Sequence, residues 1–184
     1  METFVLDSTD ESSVKEFFQK TGKFDHLITP AASTSSGTFI DSKTARSSFD
    51  SKFWGQYHAA KYGSSFIRSG GSMVLFSGTY RKRPIPHVGI MAAINSAVEG
   101  LARMLAVELA PIRVNVICPG YIDTPVWDKL PKKDQEVLFN SMTEKLPIKR
   151  LGKSEEVAQG VIYLITNQYT TGTTLFVDGG YTLR

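Results

Sequence analysis

The chain has 184 residues, of which 41% are apolar and 21% charged, with 15 glycines. A chain of this length buries roughly 70% of the surface that its unfolded form exposes, so it can build one substantial core. This composition excludes collagen-like, disordered and disulfide-stapled proteins. The net charge of +3 comes from 21 basic and 18 acidic residues, an excess too small to indicate a nucleic-acid partner.

The sequence carries few features that indicate a cellular compartment or a membrane. The single cysteine, Cys118, permits no internal disulfide, which fits a reducing compartment such as the cytoplasm. Residues 1–7 lack the features of signal and transit peptides, and no apolar run approaches the roughly 18 residues that a membrane span needs. We therefore expect a cytoplasmic protein with no membrane span, folded as a single domain over residues 1–184.

Short aliphatic runs alternate with segments of helical periodicity, a pattern that predicts parallel strands joined by crossover helices. In chain order we predict a strand at 3–6, a helix closed by Gly22, a strand at 26–29, one long helix or two joined helices at 43–68, a strand at 72–77, a helix at 90–109, a strand at 113–117, a polar segment at 121–150, a helix at 154–166 and a strand at 174–177. The run at 73–76 is continuously apolar, which is typical of a strand buried on both faces.

Two motifs in the second half of the chain are specific. Residues 95–120 read NSAVEGLARMLAVELAPIRVNVICPG, and residues 171–180 read TGTTLFVDGG. Together with the order of the elements, they resemble the short-chain dehydrogenase/reductase family over essentially the whole chain. The resemblance implies an α/β fold with a Rossmann-like parallel sheet flanked by helices. It also implies an oligomer that binds NAD or NADP and moves a hydride to or from a carbonyl group.

The nucleotide-binding motif of that family is not found. The family opens with a strand, a glycine-rich turn and a helix, whose backbone N–H groups face the cofactor pyrophosphate. No Gly-x-x-x-Gly-x-Gly occurs in this sequence, so we expect a fold that lacks the family's first βαβ segment. If NAD(P) binds, the resemblance makes Asp7 and Thr124 the cofactor-binding candidates. Asp7 is otherwise a turn and helix-capping residue.

The reaction centre departs from the family pattern as well. The family uses a Tyr-x-x-x-Lys pair with a serine and an asparagine, and the resemblance places Met91, Asn95, Gly78 and Lys52 at these four positions in turn. A thioether cannot donate a proton and glycine has no side chain. The usual acid catalysis, worth about 10²- to 10⁴-fold, is therefore missing from its place. We expect no cofactor on this basis, with NAD(P) as the alternative.

Four residues are candidates for acid–base chemistry. Lys52 beside an apolar helix face is a candidate base, iminium former or cation for an oxyanion, unless its stem lies along the helix and its ammonium reaches solvent. Tyr80 and His87 follow a buried strand, where α/β proteins place binding groups. His87 is a candidate general acid or base, although an exposed loop histidine is an equal alternative. Asp123 is a candidate base in the cavity that a missing cofactor would leave.

Further residues are expected to contact the substrate because they match family positions near the reaction centre. They are Met91, Asn95, Gly78, Tyr121, Trp127 and Arg81. Arg81 would favour a phosphate or carboxylate on the ligand, and Trp127 is alternatively a lid aromatic. No His/Cys/Asp/Glu spacing matches a metal site, so no metal is expected.

The leading hypothesis is an enzyme that acts without NAD(P) on a small apolar metabolite by isomerisation, dehydration or cyclisation. One alternative is an NAD(P)-dependent oxidoreductase of the family with an atypical site, and another is a non-catalytic dimerisation partner. The long helices at 43–68 and 90–109 resemble the family's dimer interface, so we expect a homodimer. Because an unpaired parallel edge is costly, we also predict that residues 3–6 pair beside 26–29, which gives five parallel strands.

Overall fold

The computed structural model describes residues 2–35 and 37–183. In chain order these form α1 (Glu11–Thr21), β1 (Phe24–Thr29), α2 (Ser42–Phe49), α3 (Gly55–Gly63), β2 (Ile67–Phe76), α4 (Gly89–Glu108), β3 (Arg113–Pro119), β4 (Ile122–Asp123), α5 (Lys132–Lys145), β5 (Gly152–Lys153), α6 (Ser154–Thr166) and β6 (Thr174–Val177). A π-helical turn at Asp50–Trp54 joins α2 to α3, so the predicted helical segment after residue 43 is nearly continuous.

The central sheet has the order β1-β2-β3-β6, and all its pairs are parallel. The predicted α/β fold with a parallel sheet flanked by helices is confirmed. Neighbouring residues of β2 point to opposite faces of the sheet, as the pleat requires. Met73 and Leu75 pack under α3 and α4, whereas Val74 packs under α6. The two central strands, β2 and β3, are accordingly buried on both faces.

The prediction that residues 3–6 form a strand beside residues 26–29 is wrong. These residues have no strand pairing. Asp7 accepts hydrogen bonds from the backbone N–H and the hydroxyl of Thr9, which fixes a turn just before α1. The Phe4 ring then packs edge-on against Phe17, with 5.5 Å between the ring centroids. Contact with α1 therefore replaces pairing with β1, and β1 is an edge strand of the described sheet, with Ile28 39% exposed.

The expectation that no apolar run approaches the length of a membrane span is wrong for helix α4. Its segment Ile90–Glu108 is long and apolar enough to cross a membrane by length and composition, and 44% of it is buried in the fold. Ile94, Val98 and Ala102 lie one turn apart and are all buried. This spacing gives one apolar face that packs on the sheet. The helix thus packs as a core helix of the α/β fold.

Candidate functional site

A cavity of about 160 Å³ lies where β2 and β3 end. In open parallel sheets, ligands bind in the crevice outside the carboxyl ends of the strands. Here β2 runs into Gly78, and β3 runs through Pro119 into Gly120. The cavity walls are formed by Lys52, Gly78, Thr79, Tyr80, Met91, Asn95, Pro119, Gly120, Tyr121 and Trp127. Seven of the residues predicted from the sequence to serve the site therefore line one cavity.

Lys52 reaches this cavity from the π-helical turn between α2 and α3. Its Nζ donates a hydrogen bond to the backbone carbonyl of Ser77, at 3.1 Å, so the amine lies against the end of β2. Burial lowers the pKa of Lys52 from its ordinary value to about 8, because a low-dielectric site disfavours the charged form. An amine with this pKa exchanges a proton at nearly neutral pH.

Two tyrosines, Tyr80 and Tyr121, supply phenols to the same cavity. The Tyr121 hydroxyl donates to that of Tyr181 at 3.3 Å, and the two ring centroids are 4.8 Å apart. Burial raises the pKa of Tyr121 well above its ordinary range. Burial also raises the pKa of Tyr80, although a hydrogen bond with Tyr121 acts in the opposite direction. Both phenols are therefore neutral hydrogen-bonding groups at physiological pH.

The three positions that replace the family's tyrosine, lysine and serine meet in the cavity wall. Met91 contributes a buried thioether. Asn95 is completely buried, and its amide nitrogen and oxygen both lack a hydrogen-bond partner among the described residues. A Cβ added to Gly78 would lie 3.0 Å from Asn95 Nδ2. The missing side chain at Gly78 thus leaves room beside an unpaired amide.

Other predicted site residues lie elsewhere. His87 is exposed, with φ of +64°, and its carbonyl accepts the Gly37 N–H at 2.8 Å. Asp123 is exposed on β4. Asp7 forms the exposed turn before α1. None of these three lines the cavity, and all three residues are exposed. Trp127 does line it, and its Nε1 donates to the Ile122 carbonyl at 2.9 Å.

Arg81 faces an internal carboxylate. Its Nε is in direct contact with Glu99 Oε1, and the Glu99 side chain is 1% exposed. Glu99 also accepts hydrogen bonds from the hydroxyls of Ser77, at 2.8 Å, and Thr174, at 3.2 Å. The Arg81 guanidinium lies 5.4 Å from the centre of the Phe176 ring. Its charge is therefore used inside the fold, away from a ligand phosphate or carboxylate.

Glu99 and Tyr181 are not among the residues that the sequence predicts for the site. Glu99 lies one helical turn after Asn95, on the buried face of α4. This spacing from Asn95 is the feature of the sequence that indicates a place near the site. Tyr181 follows the turn after β6, where the Asp178 carboxylate accepts N–H bonds from Gly180 and Thr182. This turn places the Tyr181 ring against Tyr121.

An apolar groove of about 600 Å³ lies beside the cavity, between β1 and α6. Both are bordered by Pro119. The groove walls include Ile28, Phe76 and Val161, and Thr124 and Ser154 are their polar members. Across residues 2–35 and 37–183, no group of three or more His, Cys, Asp or Glu side chains is placed to hold a metal ion.

Comparison with known proteins identifies the family. A family model described as enoyl-(acyl carrier protein) reductase matches residues 1–182. The chain is 32% identical over 177 residues to the peroxisomal 2,4-dienoyl-CoA reductase of Saccharomyces cerevisiae, covering 92% of this chain and 60% of that protein. It is 30% identical over 192 residues to the 3-oxoacyl-[acyl-carrier-protein] reductase of Thermotoga maritima, covering 98% of this chain and 76% of that protein. The chain belongs to the short-chain dehydrogenase/reductase family.

Solved structures agree with this assignment. A small-chain dehydrogenase in complex with NADPH superposes with a TM-score of 0.93 at 38% identity, covering 97% of this chain and 83% of that chain. The reductase/Diels-Alderase MalC from Malbranchea aurantiaca superposes with a TM-score of 0.86 at 25% identity, covering 97% of this chain and 74% of that one. These findings favour the oxidoreductase alternative of the sequence analysis over its leading hypothesis.

The residues described here fit one end of a nicotinamide dinucleotide. The apolar groove, with Thr124 and Pro119 at its border, suits the flat face of a dihydronicotinamide ring, the reduced and uncharged form. No charged side chain lines the groove, and no glycine-rich turn of the family's spacing occurs in the sequence. Among the described residues, the fit is therefore to the nicotinamide end, and no group is seen for the diphosphate.

Proposed function

We propose that this chain is an oxidoreductase of its family that uses a nicotinamide nucleotide to interconvert a small, largely apolar carbonyl compound and its alcohol. The observation that carries the proposal is the cavity at the ends of β2 and β3, which borders the apolar groove at Pro119. The NADPH complex of the related dehydrogenase supports it. The activity, substrate class and cofactor of the whole protein are part of this proposal, since the chain spans 60% of the yeast reductase's length.

The roles of the residues follow from their chemistry. Thr124 and Pro119 would border the nicotinamide, which supplies or accepts a hydride when bound. Lys52 is mostly protonated at neutral pH with a pKa of about 8. Its Nζ can donate a proton to a developing alkoxide and regain one from solvent. Tyr80 and Tyr121, which are neutral, hydrogen-bond the oxygen or its neighbours, and Met91 provides an apolar wall.

Two measurements on the full chain test the proposal. NADPH titrated into the protein in a calorimeter should give a binding isotherm, and a panel of small ketones should yield at least one compound that consumes NADPH. Lys52→Met should lower kcat/KM by about 10²-fold or more, with NADPH affinity kept. Lys61→Met on the surface of α3 is the matched control and should leave turnover unchanged. Absence of any NADPH binding would refute the proposal.

Cofactor-independent proton transfer is a second candidate function. Two features of the cavity favour it: the amine of Lys52 with its lowered pKa, and the thioether of Met91 where the family has a phenol. This candidate predicts that the protein exchanges the α-protons of a bound ketone for deuterium without NADPH, and that Lys52→Met abolishes this exchange. A protein that fails in both assays would fit the role of a non-catalytic partner.

We also propose a homodimer formed through the α2–α3 segment and α4. The exposed apolar side chains of Trp54, Met104 and Val107 on these elements support it, because a dimer would remove them from water. Sedimentation velocity should show a dimer at micromolar concentration. Val107→Lys should shift the population toward monomer. A monomer for the unmodified chain would contradict the proposal.

A further inference from the structure

Lys52 brings a primary amine to the cavity at the ends of β2 and β3. The residue is partly exposed, and its Nζ is held by one hydrogen bond, to the Ser77 carbonyl at 3.1 Å. An ammonium has three N–H donors, and no second hydrogen bond or ion pair of Nζ is found across residues 2–35 and 37–183. The nitrogen is therefore held in place with two of its N–H bonds left for a molecule in the cavity.

The surroundings of this amine raise the share of its unprotonated form. Lys52 is the one charged side chain among the described residues that line the cavity, so no carboxylate in that wall holds it as an ammonium. Burial lowers its pKa to about 8. At neutral pH about one amine in ten is then unprotonated, against about one in three thousand for an ordinary lysine. A lysine desolvated in this way is an activated nucleophile toward a carbonyl carbon.

We propose that Lys52 forms a covalent iminium with a small ketone bound in the cavity. The free amine adds to the carbonyl carbon: the N–C bond forms, and the π electron pair moves to the oxygen, which takes up a proton. The C–O bond of this carbinolamine then breaks, and the hydroxyl leaves as water with a second proton while nitrogen forms the C=N bond. Overall, one ammonium and one ketone give one iminium and one water, and both protons of the water come from the nitrogen.

Two phenols in the same wall can move these protons. Tyr80 and Tyr121 line the cavity, and both are neutral because burial raises their pKa. A phenol accepts a proton at its oxygen as it gives up its own, so it relays a proton from nitrogen to the leaving oxygen without keeping a charge. The step uses no oxidant, reductant or nicotinamide nucleotide. It is a second activity of the cavity and goes beyond the proposed oxidoreduction.

The cavity limits the ketone to a small ring or a short chain. Its volume is about 160 Å³, and a protein cavity of about 150 Å³ holds one benzene molecule. Cyclopentanone has as many non-hydrogen atoms as benzene. Its ring is apolar, which suits the walls that Met91 and Trp127 contribute. Cyclopentanone is therefore the probe.

Reductive trapping on the full chain tests the covalent step. The protein is incubated with cyclopentanone at neutral pH and treated with sodium cyanoborohydride, which reduces an iminium much faster than a ketone. The intact mass should rise by one cyclopentyl group in place of one hydrogen. Peptide mapping should place this group on Lys52, with at least about tenfold more label there than on any other lysine, because its free-amine share is larger. Lys52→Met should lose the label, and Lys61→Met, which removes a surface amine paired with Glu11, should keep it.

Three outcomes would overturn the inference: no label, label spread evenly over the lysines, or label that persists in Lys52→Met. The variant should keep its fold, which circular dichroism checks; if it unfolds, the peptide map of the unmodified chain still decides. Deuterium exchange of the ketone without trapping refutes this inference alone and leaves Lys52 a simple base. NADPH consumption without trapping likewise refutes only this inference. Trapping without NADPH binding refutes only the oxidoreductase proposal.

Discussion

Replacement of Arg81 by methionine tests the buried charge pair behind the cavity. The Glu99 side chain is 1% exposed and that of Arg81 is 23% exposed. The contact is ionic rather than a well-aligned hydrogen bond, because Arg81 Nε has no acceptor in hydrogen-bonding geometry. Arg81→Met keeps an apolar stem of similar length but leaves the Glu99 carboxylate buried with only two hydroxyl donors, Ser77 and Thr174.

The magnitude follows from what stays buried. Removing one partner of a buried ion pair costs about 3–5 kcal/mol, since the remaining charge is uncompensated. Loss of the Arg81 contact with the Phe176 ring adds about 0.5–1 kcal/mol. Urea unfolding followed by circular dichroism should therefore show Arg81→Met less stable by several kcal/mol. In a chain of this size, each kcal/mol corresponds to about 2–4 °C in melting temperature.

A surface pair serves as the matched control. Arg68 and Asp25 are 3.1 Å apart, with side chains 54% and 64% exposed. Such pairs contribute about 0–1 kcal/mol, so Arg68→Met should change little. Adding Glu99→Gln to Arg81→Met should recover part of the loss, because the buried charge is gone. If Arg81→Met costs no more than Arg68→Met, the two hydroxyls suffice for Glu99 and this reasoning fails.

Three further predictions concern single elements. Because the pKa of Lys52 is about 8 against an ordinary 10.5, the folded state binds fewer protons than the unfolded state between these values, and stability rises with pH there. Lys52→Met should thus stabilise the protein near neutral pH by about 1–2 kcal/mol after loss of its hydrogen bond, and a urea series should show the gain vanishing toward pH 10.5. Gly100→Ala, whose Cβ meets nothing closer than 3.9 Å, should stabilise α4 by about 0.5–1 kcal/mol, whereas Gly63→Ala, with Phe18 at 2.8 Å, should destabilise; equal thermal shifts would contradict this. Hydrogen exchange should find the amides of residues 3–6 unprotected, and protection equal to that of β1 would contradict the fold.

The sheet could be predicted because its central strands carry their own signal. The apolar run in β2 is removed from water on both faces only when the strand lies between two helical layers. Residues 3–6, TFVL, also have the composition of a strand but form none. Strand formation depends on a pairing partner as well as on propensity. In the structure Phe4 packs on Phe17 of α1 instead of joining the sheet. The residues of the segment alone do not reveal this contact.

The site was predictable where a position is fixed by a regular element. Lys52, Met91 and Asn95 lie on helices, so the family resemblance places them correctly in one cavity. His87 and Asp123 lie on irregular or very short segments, whose direction sequence spacing does not define. Arg81 was assigned to a ligand because its partner, a carboxylate on the mostly apolar helix α4, reads in sequence as a solvated charge.

The electrostatics of the cavity follow from how its neighbours are paired. Arg81 compensates Glu99 inside the fold, and Glu99 holds the Ser77 hydroxyl, while the Ser77 carbonyl holds Lys52. Lys52 is the one charged side chain among the cavity-lining residues that the structure describes, and burial, rather than a neighbouring cation, lowers its pKa. A ligand oxygen that gains negative charge would be the counter-charge that the ammonium lacks, and would favour it most when water has left the cavity. Under the proposed function, Lys52 would therefore stabilise an oxyanion as it forms, whether a hydride or a proton moves first.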